Sequence, residues 1–186
     1  MIGSLVRLTA LVLALAVVTA RMAGAKAQQR LLVLDFEILD TSGEPIDHRA
    51  EHARRLRLVR DSIAQELADG KIYTIADREI VRVELDAILA RQFLRSCNGC
   101  EIDLARRAGA DLVMLGNFNK VSTLVGSMEI KIKEANTGGI IYARTFDFRG
   151  DTDAAWLRAG KFFLDELRRS EGIEQSNEVE AGRRRD

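Results

Sequence analysis

Apolar and polar residues follow three different patterns along this chain. Continuous apolar runs at residues 31–34 and 112–115 are typical of strands buried on both faces of a sheet. Residues 128–133 alternate apolar and charged side chains, which indicates a strand with one face in solvent. Three further segments have apolar residues at helical spacing. These are Ala53, Leu56, Val59, Ile63 and Leu67; Val81, Leu85, Ile88 and Leu89; and Trp156, Gly160, Phe163 and Leu167.

In chain order these patterns predict the elements β-α-β-α-α-β-β-β-α. The turn ANTGG at residues 135–139 predicts a hairpin between the last two strands. On the returning strand Ile140, Tyr142, Phe146 and Phe148 share the inward phase, with Arg144 as a charged residue in the same phase. The predicted fold class is α/β (α+β): a single domain with a five-stranded mixed sheet, parallel strands followed by an antiparallel hairpin, and helices packed on it.

The first 27 residues have the pattern of a secretory signal peptide. Arg7 precedes an apolar run at residues 8–20, and Ala25-Lys26-Ala27 fits a cleavage site. The run is shorter than the about 20 apolar residues of a membrane span, which disfavours an uncleaved anchor. We therefore predict cleavage after Ala27, a periplasmic or secreted mature chain without a membrane span, a single domain over residues 28–170, and a disordered polar tail over residues 171–186.

The charge balance argues against a nucleic-acid-binding protein. The full chain has 28 Lys and Arg against 28 Asp and Glu. Removing the three basic residues of the signal segment, Arg7, Arg21 and Lys26, changes the net charge from 0 to −3. A nucleic-acid binder would be expected to carry a strongly basic face instead.

The two cysteines of the chain, Cys97 and Cys100, are predicted to form a structural disulfide. An even, isolated pair in an exported chain favours this bond, and Asn98-Gly99 allows the tight turn. A redox-active dithiol is the alternative, because a helix start at Glu101 would lower a thiol pKa. Two features disfavour it: the pair lies between two helices, and the charge of Glu101 opposes a thiolate.

A zinc site is a weaker interpretation of the same cysteines. The histidines available to complete four ligands are His48 and His52. A helix of roughly 18 residues from Asp77 would separate them from the cysteines by about 27 Å. The segment HRAEH, residues 48–52, also fits the short pattern of inverted zinc proteases, but it lies at a predicted helix start and lacks an evident third ligand. No metal site is predicted.

Polar residues that follow the first strand form a possible ligand loop. They are Asp35, Glu37, Asp40, Thr41 and Ser42. Ligands of open α/β sheets bind beyond the carboxyl ends of the strands, so this loop could line a cleft or bind a cation. The alternative is a loop whose short side chains bond their own backbone. The sequence has no glycine-rich phosphate loop and no supported Ser-His-Asp set, so no catalytic residue and no cofactor is predicted.

Four sequence blocks resemble an uncharacterised family of small secreted proteobacterial proteins, known as a domain of unknown function. The blocks are VLDFEILDTSG, CNGCEIDLARRAGADLVMLG, NKVSTLV and RGDTDAAWLR, and the resemblance covers nearly all of the mature chain. More distantly, VLDF and GADLVMLG with the following hairpin resemble the periplasmic α/β domain of the Tol–Pal translocation protein and of curli-secretion-type lipoproteins. That resemblance implies a mixed sheet and a role in envelope assemblies, usually without catalysis. The chain lacks the lipid-anchor cysteine of the secretion lipoproteins, so pore formation is not carried over.

These observations predict a non-enzymatic accessory or interaction protein of the periplasm, whose partner is another periplasmic or envelope protein. Two alternatives stay open. The first is a thiol–disulfide redox protein that uses Cys97 and Cys100. The second is a small-ligand or metal-binding module at the loop of residues 35–42.

Overall fold

The computed structural model describes residues 28–183, with side chains described for residues 28–170. The predicted signal segment, residues 1–27, lies outside the described residues. The strands are β1 (Arg30–Val33), β2 (Glu37–Asp40), β3 (Thr74–Ile75), β4 (Leu112–Lys120), β5 (Val125–Glu134) and β6 (Ile140–Arg149). The α-helices are α1 (Arg49–Asp69), α2 (Arg82–Leu89), α3 (Cys100–Arg107) and α4 (Asp153–Arg183). Short 3-10 turns at Arg78–Val81 and Leu94–Ser96 precede α2 and α3.

The strands form one mixed sheet in the order β3-β1-β4-β5-β6, with β2 also paired to β4. The pairs β1–β3, β1–β4 and β2–β4 are parallel, whereas β4–β5 and β5–β6 are antiparallel. The prediction of parallel strands followed by an antiparallel hairpin is therefore confirmed. The sixth strand arises because the first predicted strand is split into β1 and β2.

The split between β1 and β2 is a bulge that accommodates Phe36. Val33 is paired with Met114 and Glu37 with Asn117, so β1–β2 advances four residues while β4 advances three. The buried ring of Phe36 lies over Gly116 of β4, where an added Cβ would be 2.5 Å from the ring. Glycine at this position therefore lets an aromatic ring pack directly on the backbone of the central strand.

Helices cover both faces of the sheet. The larger core lies between the sheet and the helices α1 and α4, and it includes Met114, Phe118, Ile130, Trp156 and Phe163. The smaller core lies against α2 and α3 and includes Leu32, Val113, Leu85 and Leu104. Along β4 the side chains alternate between the two cores, which explains the continuous apolar run in its sequence.

Strand β6 forms an edge of the sheet, and its start differs from the predicted phase. Ile132 is paired with Tyr142 but Lys133 with Ile140, so one extra residue is inserted at Ile141. The inward position predicted for Ile140 is wrong, because this bulge leaves its side chain 55% exposed. Tyr142, Phe146 and Phe148 pack partly against the larger core, as their phase predicts.

The last helix, α4, extends further than the apolar stripe that predicts it. Its bounds reach Arg183 and so overlap the segment 171–186 for which we predict disorder. That expectation stays a prediction, since the side chains beyond residue 170 and residues 184–186 lie outside the described part. Within residues 28–183, no helix combines the length and the apolar character needed to cross a membrane.

Candidate functional site

The residues of the predicted ligand loop lie in three separate places. The Asp35 carboxylate accepts hydrogen bonds from Arg60 and Arg78, beside a cavity of about 370 Å³ at the ends of β1 and β3. Glu37 is buried and accepts from the backbone N–H groups of Leu94, at 2.5 Å, and Arg95, at 3.2 Å. Burial raises the pKa of Glu37 although these two backbone hydrogen bonds oppose it. The carboxylates of Asp35 and Glu37 therefore make structural contacts within the domain.

Asp40, Thr41 and Ser42 lie together and close a turn. One carboxylate oxygen of Asp40 accepts from the backbone N–H of Ser42 at 2.9 Å and from its hydroxyl at 2.6 Å. The N–H and the hydroxyl of Thr41 both donate to the carbonyl oxygen of Lys120. The Asp40–Ser42 bonds are local to the loop, whereas Thr41 ties the loop to the end of β4. Asp40 also contacts His52 and Lys120, and through them a larger group of charges.

That larger group is a set of ionisable residues, most of them buried or half-buried, here called the Asp151 cluster. Its members are Asp40, Glu44, His52, Arg55, Lys120 and Asp151. Asp151 binds Arg55 at 2.6 Å, Lys120 at 3.0 Å and His52 at 3.3 Å. Lys120 also binds Glu44 at 2.7 Å, with Asp40 at 3.7 Å. The cluster joins β2, the following loop, α1, the end of β4 and the link between β6 and α4.

Mutual contact keeps Asp151 and Lys120 charged despite their burial. Burial by itself would raise the pKa of Asp151, but the hydrogen bonds from Lys120 and His52 and the charge of Arg55 outweigh it, so its pKa is lowered. Burial likewise opposes the charge on Lys120, and the hydrogen bonds to Glu44 and Asp151 outweigh it, so its pKa is raised. Buried opposite charges that satisfy one another in this way resist separation.

The Asp151 cluster fixes the turn from β6 into α4. The Oδ1 atom of Asp151, which accepts from Arg55, also accepts a hydrogen bond from the Trp156 indole nitrogen at 3.1 Å. Trp156 lies one turn into the helix. Thr152 caps the helix start, since its hydroxyl accepts from the N–H of Ala155 at 3.2 Å. The Trp156 ring stacks on Phe118, with centroids 4.3 Å apart. The start of α4 is thereby held against both the sheet and the charged cluster.

A groove lies between β6 and α4, next to this corner. It encloses about 470 Å³ and is lined by residues 145–149 of β6 and by Ala155, Arg158, Ala159 and Phe162 of α4. Successive side chains of a strand point to opposite faces. Because five consecutive β6 residues line the groove, it runs along the outer edge of the strand. The Phe162 ring borders it and is 66% exposed.

The outer edge of β6 is unpaired within the described part of the chain. β6 spans ten residues and ends the sheet order, whereas the opposite edge strand, β3, has two residues. An edge strand presents backbone N–H and C=O groups that another extended segment can bond. The β6–α4 groove, which sequence reasoning did not identify, therefore combines a backbone edge with an adjacent apolar wall.

Cys97 and Cys100 lie at the entry to α3, where the sequence predicts a disulfide. Their sulfur atoms are at bonding distance and their Cα atoms are 5.7 Å apart, within the range for a disulfide. The buried carboxylate of Glu101 lies 3.4 Å from Cys97 Sγ and 2.7 Å from the ammonium of Lys133. Among the described residues, Cys97, Cys100 and Glu101 form the group whose ligand atoms lie close enough together to hold a metal ion. The carboxylate of Glu101 is, however, already paired with the ammonium of Lys133.

The histidines lie apart from this group. His48 contacts Glu44 at 3.4 Å and Glu51 at 3.3 Å, and His52 belongs to the Asp151 cluster. The structure thus does not bring the four residues of the zinc interpretation, Cys97, Cys100, His48 and His52, into one ligand group.

Several solved structures are similar in fold. The C-terminal domain of LpoB from Salmonella enterica has 16% identity and a TM-score of 0.43, over 67% of this chain and 85% of that chain. Lipoprotein GNA1162 from Neisseria meningitidis has 12% identity and a TM-score of 0.46, over 80% and 97%. TolB from Acinetobacter baumannii has 8% identity and a TM-score of 0.44, over 76% and 28%.

The sequence itself assigns the family. No curated protein matches the chain. A family model, DUF3280, matches residues 29–167, which is most of the chain and nearly the whole predicted domain. This match confirms the predicted resemblance to a domain of unknown function. The chain belongs to the DUF3280 family, described as "Protein of unknown function (DUF2380)".

Proposed function

We propose that this protein is an exported, non-enzymatic accessory protein that binds an extended segment of a second envelope protein along strand β6. The observation that carries the proposal is the β6–α4 groove: a ten-residue edge strand beside an apolar wall that ends in the exposed Phe162 ring. A partner strand bound there would gain backbone hydrogen bonds from β6 and side-chain contacts from α4.

The Asp151 cluster supports the proposal because it positions the two walls of the groove. Asp151 lies two residues after the end of β6 and two before the start of α4, and it is bonded to Arg55, Lys120 and Trp156. A binding surface that is already ordered loses less conformational entropy when it binds. In this proposal the buried charges fix the relative positions of β6 and α4, so that the groove is already formed before the partner binds.

Export is part of the same proposal. Its support is the signal pattern of residues 1–27, with cleavage after Ala27. Cell fractionation, together with the intact mass of the purified native protein, tests it. We expect a periplasmic protein whose chain begins at Gln28. A cytoplasmic protein that retains residues 1–27 would contradict this part.

Site-specific photocross-linking tests the binding surface. A photoreactive amino acid is placed at Thr145 in the groove and, as a matched control, at the exposed Arg57 of α1. We expect a discrete adduct with one envelope protein from position 145 that is absent from position 57. The purified partner should then bind the purified protein, and Phe162→Asp should weaken this binding. Equal adducts from both positions, or binding that is insensitive to Phe162→Asp, would contradict the proposed surface.

A further inference from the structure

Four basic side chains without an acidic partner lie in or beside the β6–α4 groove, and two of them, Arg149 and Arg158, line it. Arg144 and Arg149 of β6 and Arg158 and Lys161 of α4 are all exposed. None of these four has an ion-pair partner among the residues whose side chains are described. The groove lining itself contains a single acidic residue, Asp147.

Arginines elsewhere on the surface mostly have acidic partners. Arg54 binds Asp153 at 2.6 Å, Arg107 binds Glu84 at 2.9 Å and Arg168 binds Glu66 at 2.9 Å. Four exposed basic side chains without an acidic partner therefore lie beside the long unpaired edge of β6. An excess of one sign of charge around a cleft attracts the opposite charge, and here the basic residues outnumber the one acidic residue of the lining.

We propose that the segment bound along β6 is acidic, with at least one apolar side chain placed against Phe162. This inference rests on the proposed function and names the chemistry of its partner. A segment added beside β6 would alternate its side chains between the two faces of the sheet. On the face of α4 it meets Phe146, Phe148 and Phe162, which suit an apolar residue. Carboxylates of the bound segment would pair with the four basic side chains in or beside the groove.

A second copy of this chain fits the same edge poorly. Pairing two β6 strands would bring Arg144, Arg149, Arg158 and Lys161 of both copies to one interface. Like charges placed opposite one another destabilise paired strands. The charge pattern therefore favours an acidic segment of another protein over self-association.

Binding of synthetic decapeptides to the full-length mature protein tests the inference. Three fluorescent peptides are compared by anisotropy: valine alternating with glutamate, valine alternating with lysine, and the glutamate peptide with two central residues replaced by proline. We expect the acidic peptide to bind about tenfold more tightly than the basic one, the size expected for several exposed ion pairs acting together. Added salt should weaken it, and the proline peptide should bind less tightly because it cannot pair as a strand.

Charge reversal provides the decisive variant. Arg149→Glu combined with Arg158→Glu should reverse the preference between the acidic and basic peptides. The matched control reverses two exposed arginines outside the groove, Arg57→Glu and Arg91→Glu, and should leave the preference unchanged. Thermal unfolding checks that both variants are folded.

Each result bears on one of the two proposals. Equal affinity for both charged peptides, no peptide binding, or concentration-dependent dimerisation through β6 would overturn the acidic-segment inference. If cross-linking from Thr145 still identifies an envelope partner through a neutral or basic segment, the proposed function stands without it. If the acidic peptide binds in the groove but no envelope partner is cross-linked, the proposed function fails and the groove chemistry stands.

Discussion

The ammonium nitrogen of Lys120 lies 3.0 Å from a carboxylate oxygen of Asp151, and the two side chains are only 4% and 13% exposed. Lys120 ends β4, at the centre of the sheet, and Asp151 lies in the link between β6 and α4. This pair therefore joins the rigid middle of the fold to the corner that forms the proposed groove. Its partners Arg55 and His52 extend the connection to α1.

Asp151→Asn should destabilise the domain by about 3 kcal/mol. The change leaves Lys120 and Arg55 buried beside a neutral amide, and removing one partner of a buried ion pair typically costs about 3–5 kcal/mol. Urea unfolding followed by circular dichroism measures the loss. Asp147→Asn is the matched control, because Asp147 is exposed on β6 and should change stability by less than about 0.5 kcal/mol. Similar values for the two variants would mean that the cluster contributes little.

The same cluster should give the stability a defined pH dependence. The folded state lowers the pKa of Asp151, so its contribution is present above about pH 4 and is lost as the pH falls through the lowered value. The folded state raises the pKa of Lys120, so its contribution is present below about pH 10 and is lost as the pH rises through the raised value. The destabilisation by Asp151→Asn, measured from pH 2 to 8, should therefore be largest near neutrality and shrink below pH 4. A constant difference would contradict this assignment.

The sheet could be predicted from sequence wherever one local pattern decides the structure. The apolar run of residues 112–115 and the alternation of residues 128–133 identify β4 and β5, because burial on one or two faces imposes these patterns. Local patterns do not specify bulges. The break between β1 and β2 depends on Phe36 meeting Gly116, 80 residues later, and the phase of Ile140 depends on an extra residue in the hairpin.

The Asp151 cluster and the groove could not be predicted from the sequence, because both also depend on contacts between distant parts of the chain. Arg55, Lys120 and Asp151 are far apart in the chain, and each resembles a solvent-exposed charge until the fold brings them together. One signal was present: Lys120 has the same inward phase as Phe118 and Met114 along β4, which marks it as a buried charge that requires partners. The groove depends on how α4 packs beside β6, and no residue pattern encodes that packing directly.

Tyr142→Phe should stabilise the domain by about 1 kcal/mol. The hydroxyl of Tyr142 is buried without a hydrogen-bond partner among the described residues, and such a group costs about 1–3 kcal/mol. Burial also raises the pKa of Tyr142 to about 12. The unfolded chain ionises near pH 10, so the wild type loses stability between pH 10 and 12, whereas the Phe variant lacks this loss. The advantage of the variant in chemical unfolding should therefore grow above pH 10. A destabilised variant would indicate that the hydroxyl is bonded.

Cys97 and Cys100 should be isolated from the periplasm as a disulfide. Mass spectrometry after alkylation of unreduced protein measures this, and two alkylated thiols in most molecules would contradict it. The closed loop has about four residues, so the bond should contribute roughly 2 kcal/mol in the chain-entropy model. The double variant Cys97→Ser, Cys100→Ser should lose about this much and still bind the acidic peptide, because the pair lies at α3 and away from the β6–α4 groove. Loss of binding by a folded double variant would show that the pair influences the β6–α4 groove.

Gly116→Ala and Gly126→Ala should differ in cost although both place a methyl group against a phenylalanine. The Cβ at position 116 would lie 2.5 Å from the Phe36 ring, and at position 126 it would lie 2.8 Å from the Phe148 ring. Phe36 is 5% exposed and enclosed by the core, so neither ring nor backbone can move freely. Phe148 is half-buried on the edge strand and can shift towards solvent. Overpacking a core costs about 1–3 kcal/mol, and we expect Gly116→Ala to reach the upper part of this range and Gly126→Ala the lower part.

Combining Gly116→Ala with Phe36→Leu should recover part of the stability loss, because the smaller side chain leaves room for the methyl group. Urea unfolding of the two single variants and the double variant measures this coupling as a double-mutant cycle. Additive effects of the two changes would show that Phe36 does not pack on Gly116.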